Sequence, residues 1–216
     1  QVEYALEAVR RGWTTLGVRC PEGAVLAVEK KRILPLVDPS SMEKIWKIDE
    51  HVGVAYAGLA SDGRVLIDRA RIEAQINRLI YDEPIDIEVL TRRISDLKQI
   101  YTQHAGVRPF GVSFLIAGVD RTGPKLFMTE PSGAYAGYYA VAIGAGSQQA
   151  SEVLEKNYRE DMSLEEAIKL SLRGLGAAVE GGLSPDKVEL AVVDVKTKRF
   201  DKLSKEEVAK YLAALT

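Results

Sequence analysis

The order in which strand-like and helix-like segments follow one another constrains the fold of this chain more than any single motif does. Two β-branched, apolar segments, 14–19 and 24–28, flank Pro21-Glu22-Gly23, a sequence typical of a hairpin turn. A second pair, 45–48 and 52–57, is joined by three polar residues. Two adjacent segments with helical periodicity follow, at 60–81 and 87–103. Strands in pairs before helices in pairs favour α+β layering with antiparallel sheets over strict βαβ alternation.

The second half of the chain repeats this grouping. The segment 110–119 is almost wholly apolar, which is typical of a strand inside a sheet. Ser163 and Glu166 form a capping box that predicts the start of a helix, and Ser204 caps a closing helix. The predicted elements are strands at 110–119, 125–129 and 138–143, helices at 147–157 and 163–180, strands at 188–195 and 199–203, and the closing helix.

Both long helices carry apolar residues at helical spacing, and we expect these residues to face the core. The stripe in 60–81 consists of Val65, Ile72, Ile76 and Leu79. The stripe in 87–103 consists of Leu90, Ile94, Leu97 and Ile100. Neither repeat is long enough to predict an independent coiled coil.

A short amino-terminal helix is predicted within residues 1–12. Its glutamates lie near the start and its arginines near the end, which complements the helix dipole. No side chain at the beginning is suited to cap the first free N–H groups. We expect Gly12 to stop the helix in the left-handed conformation that glycine accepts. One face of the helix is lined by Val2, Ala5, Leu6 and Val9.

Composition limits the classes of function. With 216 residues, 46% of them hydrophobic, the chain can bury a core as a single domain spanning 1–216. A net charge of −2 argues against a nucleic acid partner. The single cysteine, Cys20, allows no disulfide within the chain, which fits a reducing compartment. No apolar run is long enough for a membrane span and the first residues are not a signal peptide, so we expect a soluble, cytoplasmic protein without a membrane partner.

No motif indicates a cofactor or a metal site. Gly144-Ala145-Gly146 lacks the third glycine of a dinucleotide-binding turn and indicates a tight strand-to-helix turn. His51 and His104 have no cysteine or histidine at metal-ligand spacing. Ser113 is not followed by the glycine of a nucleophile elbow, so we interpret it as a strand residue. We therefore predict neither a cofactor nor a metal.

Several segments together resemble the α-subunits of the 20S proteasome, most closely the archaeal ones. The resemblance covers essentially the whole chain. It implies the four-layer αββα sandwich of N-terminal nucleophile hydrolases, which periodicity alone does not predict. The segments that carry it are Gln1-Val2-Glu3-Tyr4-Ala5 with the basic, Gly-terminated helix, Glu43-Lys44-Ile45, Gly58-Leu59, the run 64–75, and Tyr101-Thr102-Gln103 leading to 107–113.

Within this resemblance, Thr14 and Thr15 are the candidates for threonine protease chemistry. Catalytic relatives use an amino-terminal Thr whose own amine acts as base, with an acid and a lysine beside it. Glu29 and Lys44 match the acid and the lysine, but Trp13 stands at the nucleophile's place and its nitrogen is an amide. We therefore expect a non-catalytic subunit. The alternatives are a catalytic threonine-protease subunit of the same family and an isolated binding domain that reuses the fold.

The resemblance also implies which residues contact partners. Lys44, Gly12 and Leu59 match a pocket between neighbouring subunits, where the lysine meets the carboxylate of a regulatory ATPase's hydrophobic-Tyr-any C-terminal tail. Tyr4 matches a tyrosine of the cluster that holds the gate open. The turn that narrows the axial channel is matched by Arg108, Pro109, Phe110 and Gly111.

The implied function is that of the outer ring of the proteasome core. Such α-subunits form a homo-oligomeric, heptameric ring that stacks on β-subunits, restricts the passage of unfolded proteins and docks a regulatory ATPase. In the family, a gating tail with a Tyr-Asp-Arg segment precedes Gln-Val-Glu-Tyr-Ala. That segment is not in the sequence, so a ring built from it as printed is expected to be constitutively open.

Overall fold

Two five-stranded antiparallel sheets and six α-helices make up the computed structural model, which describes residues 1–31, 34–104 and 106–215. In chain order the elements are α1 (Val2–Arg10), β1 (Thr15–Cys20), β2 (Gly23–Glu29), β3 (Ile45–Asp49), β4 (Val52–Gly58), α2 (Ala60–Tyr81), α3 (Ile87–Gln103), β5 (Val112–Asp120), β6 (Gly123–Thr129), β7 (Tyr135–Gly137), β8 (Ala140–Ile143), α4 (Ser147–Asn157), α5 (Leu164–Ala178), β9 (Val188–Asp194), β10 (Phe200–Lys202) and α6 (Lys205–Ala213). The first sheet has the order β10-β9-β2-β1-β8 and the second β3-β4-β5-β6-β7.

The two sheets pack face to face, and each carries helices on its outer side. Helices α2 and α3 lie on the second sheet, and α4 and α5 lie on the first. One cluster of buried apolar residues fills the space between the sheets and includes Leu26, Ile45 and Leu115. A further cluster lies under the helices of each outer layer. The predicted four-layer αββα sandwich is confirmed.

Both predicted hairpins form. In the first, Thr15 of β1 lies opposite Val28 of β2. In the second, Ile45 of β3 lies opposite Ala55 of β4. Strand β5 lies in the middle of its sheet and is buried along its whole length, as its apolar sequence predicted. The predicted capping box is present at the start of α5, and Ser204 caps α6 as predicted, with Glu207 completing a second capping box there.

Helix α2 has the predicted bounds but turns a different face to the core. The residues predicted to be buried are all exposed, Leu79 to 85%. The face that packs on the sheet includes Ala70 and Ala74, small residues that contribute little to a hydrophobic pattern. The prediction of the core face was wrong because α2 is apolar on two sides and the larger side chains lie on the outer one. The buried face consists of Leu66, Ile67, Ala70 and Ala74, and we name the exposed set of Val65, Ile72, Ile76 and Leu79 the open stripe.

Helix α3 also has the predicted bounds, and Leu90 and Ile94 are buried as expected. Leu97 is only half-buried and Ile100 is exposed, so the predicted stripe leaves the core in the last turns of the helix. The side chain of Lys98 is completely buried in their place. A lysine is rarely buried in full, and the helical pattern did not predict this one.

Helix α1 packs through Ala5 and Val9 against strands β4 and β5. It ends at Arg11 in the right-handed region, and Gly12 does not adopt a left-handed φ, so that prediction was wrong. A glycine is required at this position because there is no room for a side chain. A Cβ at Gly12 would lie 2.7 Å from the backbone nitrogen of Gly58, so only glycine allows the chain to cross β4 so closely.

Several strand bounds differ from the predicted ones by one or a few residues, and one strand was not predicted. Strand β5 begins at Val112 rather than at 110, because the N–H of Gly111 donates to the Asp62 carboxylate at the start of α2 instead of to a neighbouring strand. The short strand β7 was not predicted, since three residues that include a glycine show no alternation. Within the described residues, no helix is long and apolar enough to cross a membrane.

Candidate functional site

The two threonines considered for catalysis are buried, and their hydroxyl groups are occupied. Thr14 Oγ1 accepts a hydrogen bond from the Gly146 N–H at 2.8 Å, at the turn between β8 and α4. Thr15 Oγ1 donates to the Trp13 carbonyl at 3.0 Å. The glycine-rich segment is therefore the predicted strand-to-helix turn, and both threonines hold the backbone around it rather than face a substrate.

Glu29 and Lys44 make separate local contacts, although they match the positions of the catalytic acid and lysine. The Glu29 carboxylate pairs with the Lys31 ammonium at 3.6 Å. The Lys44 ammonium lies over two aromatic rings, 4.5 Å from the centroid of Trp13 and 5.2 Å from that of Tyr56. Trp13 itself has neither a free amine nor a nucleophilic side chain. The residues of a threonine protease site are therefore not assembled here.

The Glu189 carboxylate fixes the backbone where Lys44 leads into β3. Its two oxygens accept the N–H groups of Lys44 and Ile45 at 3.0 and 3.2 Å. The same carboxylate pairs with Lys202 at 2.7 Å and with Lys30 at 3.8 Å. Glu189 is thus neutralised by other lysines. Across the described parts of the chain, no carboxylate forms an ion pair with the Lys44 ammonium.

The surroundings of Lys44 favour the arrival of an anion. Burial lowers the pKa of the ammonium, an effect that Glu189 partly offsets and Lys30 reinforces. The side chain remains half-exposed, so a ligand can reach it. A cation that is partly desolvated and lacks an anionic partner is stabilised by an incoming negative charge. The site is therefore suited to bind a carboxylate.

Gly12 and Leu59 adjoin Lys44 through their neighbours in the chain. Gly12 precedes Trp13, whose ring carries the Lys44 ammonium, and its backbone crosses against Gly58, the residue before Leu59. The Leu59 side chain is 39% exposed and supplies an apolar surface. The glycine backbone at Gly12, the Lys44 ammonium and the apolar Leu59 side chain thus lie in one region of the surface.

The turn at 108–111 is held by a residue that sequence reasoning missed. The Asp62 carboxylate, in the first turn of α2, accepts two hydrogen bonds from the Arg108 guanidinium at 2.6 and 2.7 Å. It also accepts the Gly111 N–H at 2.8 Å. Burial alone would raise the pKa of Asp62, but these hydrogen bonds outweigh it and hold the pKa below its ordinary value. The carboxylate is therefore fully satisfied and fixes both ends of the turn.

Phe110 and Tyr4 occupy different environments. Phe110 is buried, and its ring packs on Tyr101 with centroids 4.4 Å apart, so its side chain anchors the 108–111 turn from inside. Tyr4 is 80% exposed on α1. The pKa of Arg108 is raised chiefly by its hydrogen bonds to Asp62, with a smaller electrostatic contribution from Tyr4. The tyrosine matched to the gate is therefore within electrostatic range of the 108–111 turn.

Lys98 forms a second lysine site behind this turn. Its ammonium donates to the Val112 carbonyl and to Thr129 Oγ1, each at 2.7 Å. It also lies 5.3 Å from the centroid of the Phe114 ring. Burial lowers the pKa of Lys98 to about 7, and Glu130 offsets this only partly. The contact ties α3 to the first residue of β5.

The other singled-out residues have structural roles. Cys20 is buried and unpaired, and burial raises the pKa of its thiol. His51 Nε2 forms a hydrogen bond with the Ile85 carbonyl at 2.8 Å. Ser113 lies within β5, as interpreted from the sequence. Among the residues that the structure describes, no group of His, Cys, Asp and Glu is arranged to hold a metal ion.

Comparison with known proteins identifies the class to which this fold and this site belong. A family model described as "Proteasome subunit" matches residues 9–193, so the chain belongs to the proteasome subunit family. Two relatives named "Proteasome subunit alpha", from Sulfurisphaera tokodaii and Saccharolobus solfataricus, are 53% and 52% identical to it. A relative of the same name from Saccharolobus islandicus is 52% identical. Each alignment covers 100% of this chain and 90% of the relative.

Within the family, the chain is of the α type. The α-subunits are the non-catalytic components of the outer ring of the 20S core. The occupied threonine hydroxyls and the tryptophan at the nucleophile's place agree with this. The expectation of a non-catalytic subunit is confirmed, and the alternative of a catalytic threonine-protease subunit is wrong.

Proposed function

We propose that the chain forms a heptameric α-ring that stacks on β-subunits in the cytoplasm and controls the passage of unfolded proteins into the proteolytic chamber. The ring docks a regulatory ATPase through the ATPase's hydrophobic-Tyr-any C-terminal tail. Lys44 binds the tail's carboxylate, Gly12 lets the tail backbone approach, and Leu59 contacts the apolar residue of the tail. The 108–111 turn and Tyr4 border the axial channel.

The observation that carries this proposal is the Lys44 ammonium, which forms no ion pair with a carboxylate of the described residues. It is half-buried on two aromatic rings, while the nearby Glu189 carboxylate is committed to backbone N–H groups and to other lysines. A terminal carboxylate supplies the charge that the site lacks, in a charge-assisted hydrogen bond. Neighbouring backbone and apolar surfaces then add the sequence preference of peptide recognition.

Two further features support the ring and the channel. The open stripe on α2 exposes a row of large apolar side chains, which is typical of a surface covered on assembly. The 108–111 turn is held by Asp62 and by Phe110, so it keeps one shape as an edge of a channel. A turn without such contacts would be a poor constriction.

Replacing Lys44 by alanine tests the proposal in an assembled core particle. Loss of one partner of a desolvated charge pair costs about 2–5 kcal/mol, so Lys44→Ala should weaken ATPase docking more than about tenfold. Lys47→Ala is the matched control, because the Lys47 ammonium forms solvent-exposed ion pairs with Glu50 and Asp201. Affinities are measured by surface plasmon resonance on the assembled particle, and ring assembly is checked by native mass spectrometry.

Unchanged docking of Lys44→Ala would remove the role given to this pocket. A chain that stays monomeric in native mass spectrometry, alone and with β-subunits present, would contradict the ring and favour an isolated binding domain. The expected pattern is intact rings for both variants with a docking defect in Lys44→Ala alone.

A further inference from the structure

Trp13 and Tyr56 form an aromatic pair around Lys44 that the sequence did not assign to any function. The Lys44 ammonium lies 4.5 Å from the Trp13 centroid and 5.2 Å from the Tyr56 centroid. Both distances are within the range in which the negative face of an aromatic ring attracts a cation. In the part of the chain that the structure describes, the ammonium contacts these two rings, and the neighbouring Glu189 carboxylate is bound to backbone N–H groups.

The Tyr56 ring is enclosed by neighbours on two elements. It is buried, and it packs against Phe114, its cross-strand neighbour on β5, with centroids 6.2 Å apart. Gly63 of α2 faces it so closely that a Cβ there would lie 3.1 Å from the ring. Burial raises the pKa of the Tyr56 phenol, so the ring stays neutral. Tyr56 is therefore a fixed surface beneath the cation.

The backbone at Trp13 is held equally well. The Trp13 carbonyl accepts the Thr15 hydroxyl at 3.0 Å, and the preceding Gly12 carbonyl accepts the Ala145 N–H at 2.8 Å. The Trp13 side chain remains half-buried at the surface. Its ring thus covers one side of the ammonium and leaves another side open.

We propose that Trp13 and Tyr56 are positioning residues that hold the Lys44 ammonium in place before a peptide carboxylate arrives, and that Trp13 thereby sets the affinity for carboxylate-terminated tails. The inference rests on the proposed tail pocket. A lysine side chain in water samples many rotamers, and fixing it on binding costs conformational entropy. Two ring faces that already hold the nitrogen remove part of this cost, and they stay in contact with it after the carboxylate approaches from the open side.

Fluorinated tryptophan gives a test that preserves the shape of the site. The chain has two tryptophans, and a Trp46→Phe background leaves Trp13 as the only one. Successive fluorination of the indole weakens its negative face without altering its packing, and therefore weakens attraction for a cation. The probe is a synthetic peptide ending in Leu-Tyr-Ala with a free carboxylate, bound to the assembled particle. We expect its dissociation constant to rise stepwise with each added fluorine.

Variants of Trp13 extend the test. Trp13→Leu should weaken binding of the free-acid peptide by about two- to fivefold, the usual range for an exposed cation–π contact, and Trp13→Phe by less. The same peptide with an amidated end should bind all variants alike, because it offers Lys44 no charge. The Trp46→Phe particle with ordinary tryptophan is the control for the background.

The outcomes distinguish the positioning role of Trp13 and Tyr56 from the existence of the tail pocket. If Lys44→Ala weakens free-acid binding but fluorination and Trp13→Leu leave it unchanged or make it tighter, the positioning role is overturned and the pocket stands. If Lys44→Ala itself has no effect, or the peptide does not bind, the proposed pocket fails. A stepwise loss with fluorination together with the Lys44→Ala defect supports both.

Discussion

The ammonium groups of Lys44 and Lys98 lie over two aromatic rings that pack against each other, but Lys44 is accessible to solvent and Lys98 is not. Tyr56 and Phe114 lie opposite each other on β4 and β5, and each carries one of the two ammonium groups. The Lys98 ammonium donates to two oxygens and is sealed from solvent. Lys44 is half-exposed, and its ammonium lies over the Trp13 and Tyr56 rings. A closed cation stabilises one arrangement of the chain, whereas an open one is free to bind a ligand.

The same contrast exists between the two apolar faces of α2. The buried face fills the core beneath the helix, and the open stripe remains at the surface. Apolar area that is covered within the subunit contributes to folding, and area that is left exposed contributes only when a partner covers it. Closed groups should therefore control stability, and open groups should control association.

The largest expected effect comes from the two faces of α2. Leu66→Ala should lower the free energy of unfolding by about 2–5 kcal/mol, because it leaves a cavity in the core. Ile72→Ser in the open stripe should change it by less than about 0.5 kcal/mol, as is usual for exposed positions. Urea unfolding of the isolated chain measures both variants.

Ile72→Ser should reduce assembly with neighbouring subunits, measured by native mass spectrometry at several concentrations. Equal losses of stability in the two variants would show that the open stripe belongs to the core of the subunit. Full assembly of Ile72→Ser together with Leu79→Ser would show that the stripe is not a contact surface.

An intermediate effect is expected from the pH dependence of Lys98. Its pKa falls from 10.5 to about 7 on folding, so between these values the unfolded chain holds a proton that the folded chain has released. Stability therefore rises with pH in this window, by roughly 2 kcal/mol between pH 7 and 9. Lys98→Met should lose this rise, as measured by urea unfolding at both pH values.

Lys44→Met is the matched control for that experiment. Lys44 also has a lowered pKa, but its exposure to solvent keeps the effect smaller, so most of the pH dependence should remain in this variant. If Lys98→Met retains the full rise in stability while Lys44→Met loses it, the assignment of closed and open cations is reversed.

Local sequence signals predicted most of the elements but not which faces meet. The bounds of α2 and α3 follow from periodicity and from the breaks around them. The core face of α2 does not, because Ala70 and Ala74 pack on the sheet while larger residues lie outside. Lys98 has the sequence context of a solvated helical lysine, and its partners Val112 and Thr129 come from other elements. Such contacts are properties of the packed layers rather than of any one segment.

The candidate site shows the same limit. Lys44 was identified by the family resemblance, and composition or spacing would have left it a solvated lysine. Trp13 was noted only because it stands at the nucleophile's place, and Tyr56 was not noted at all. A structural role for Asp62 could have been suspected, because it is an acidic residue at the start of α2 and the later turn at 108–111 contains a basic residue, Arg108. Its pairing with that arginine nevertheless depends on how α2 meets β5.

The most direct test of the account compares one tail peptide in two chemical forms on the wild-type particle. A peptide with a free terminal carboxylate and the same peptide with an amidated end are bound to the assembled particle and measured by surface plasmon resonance. If Lys44 is an open cation that reads a carboxylate, the free acid should bind more than about tenfold more tightly, and Lys44→Ala should abolish the difference. Equal affinities of the two forms for the wild type would contradict the account, because no carboxylate would then be recognised.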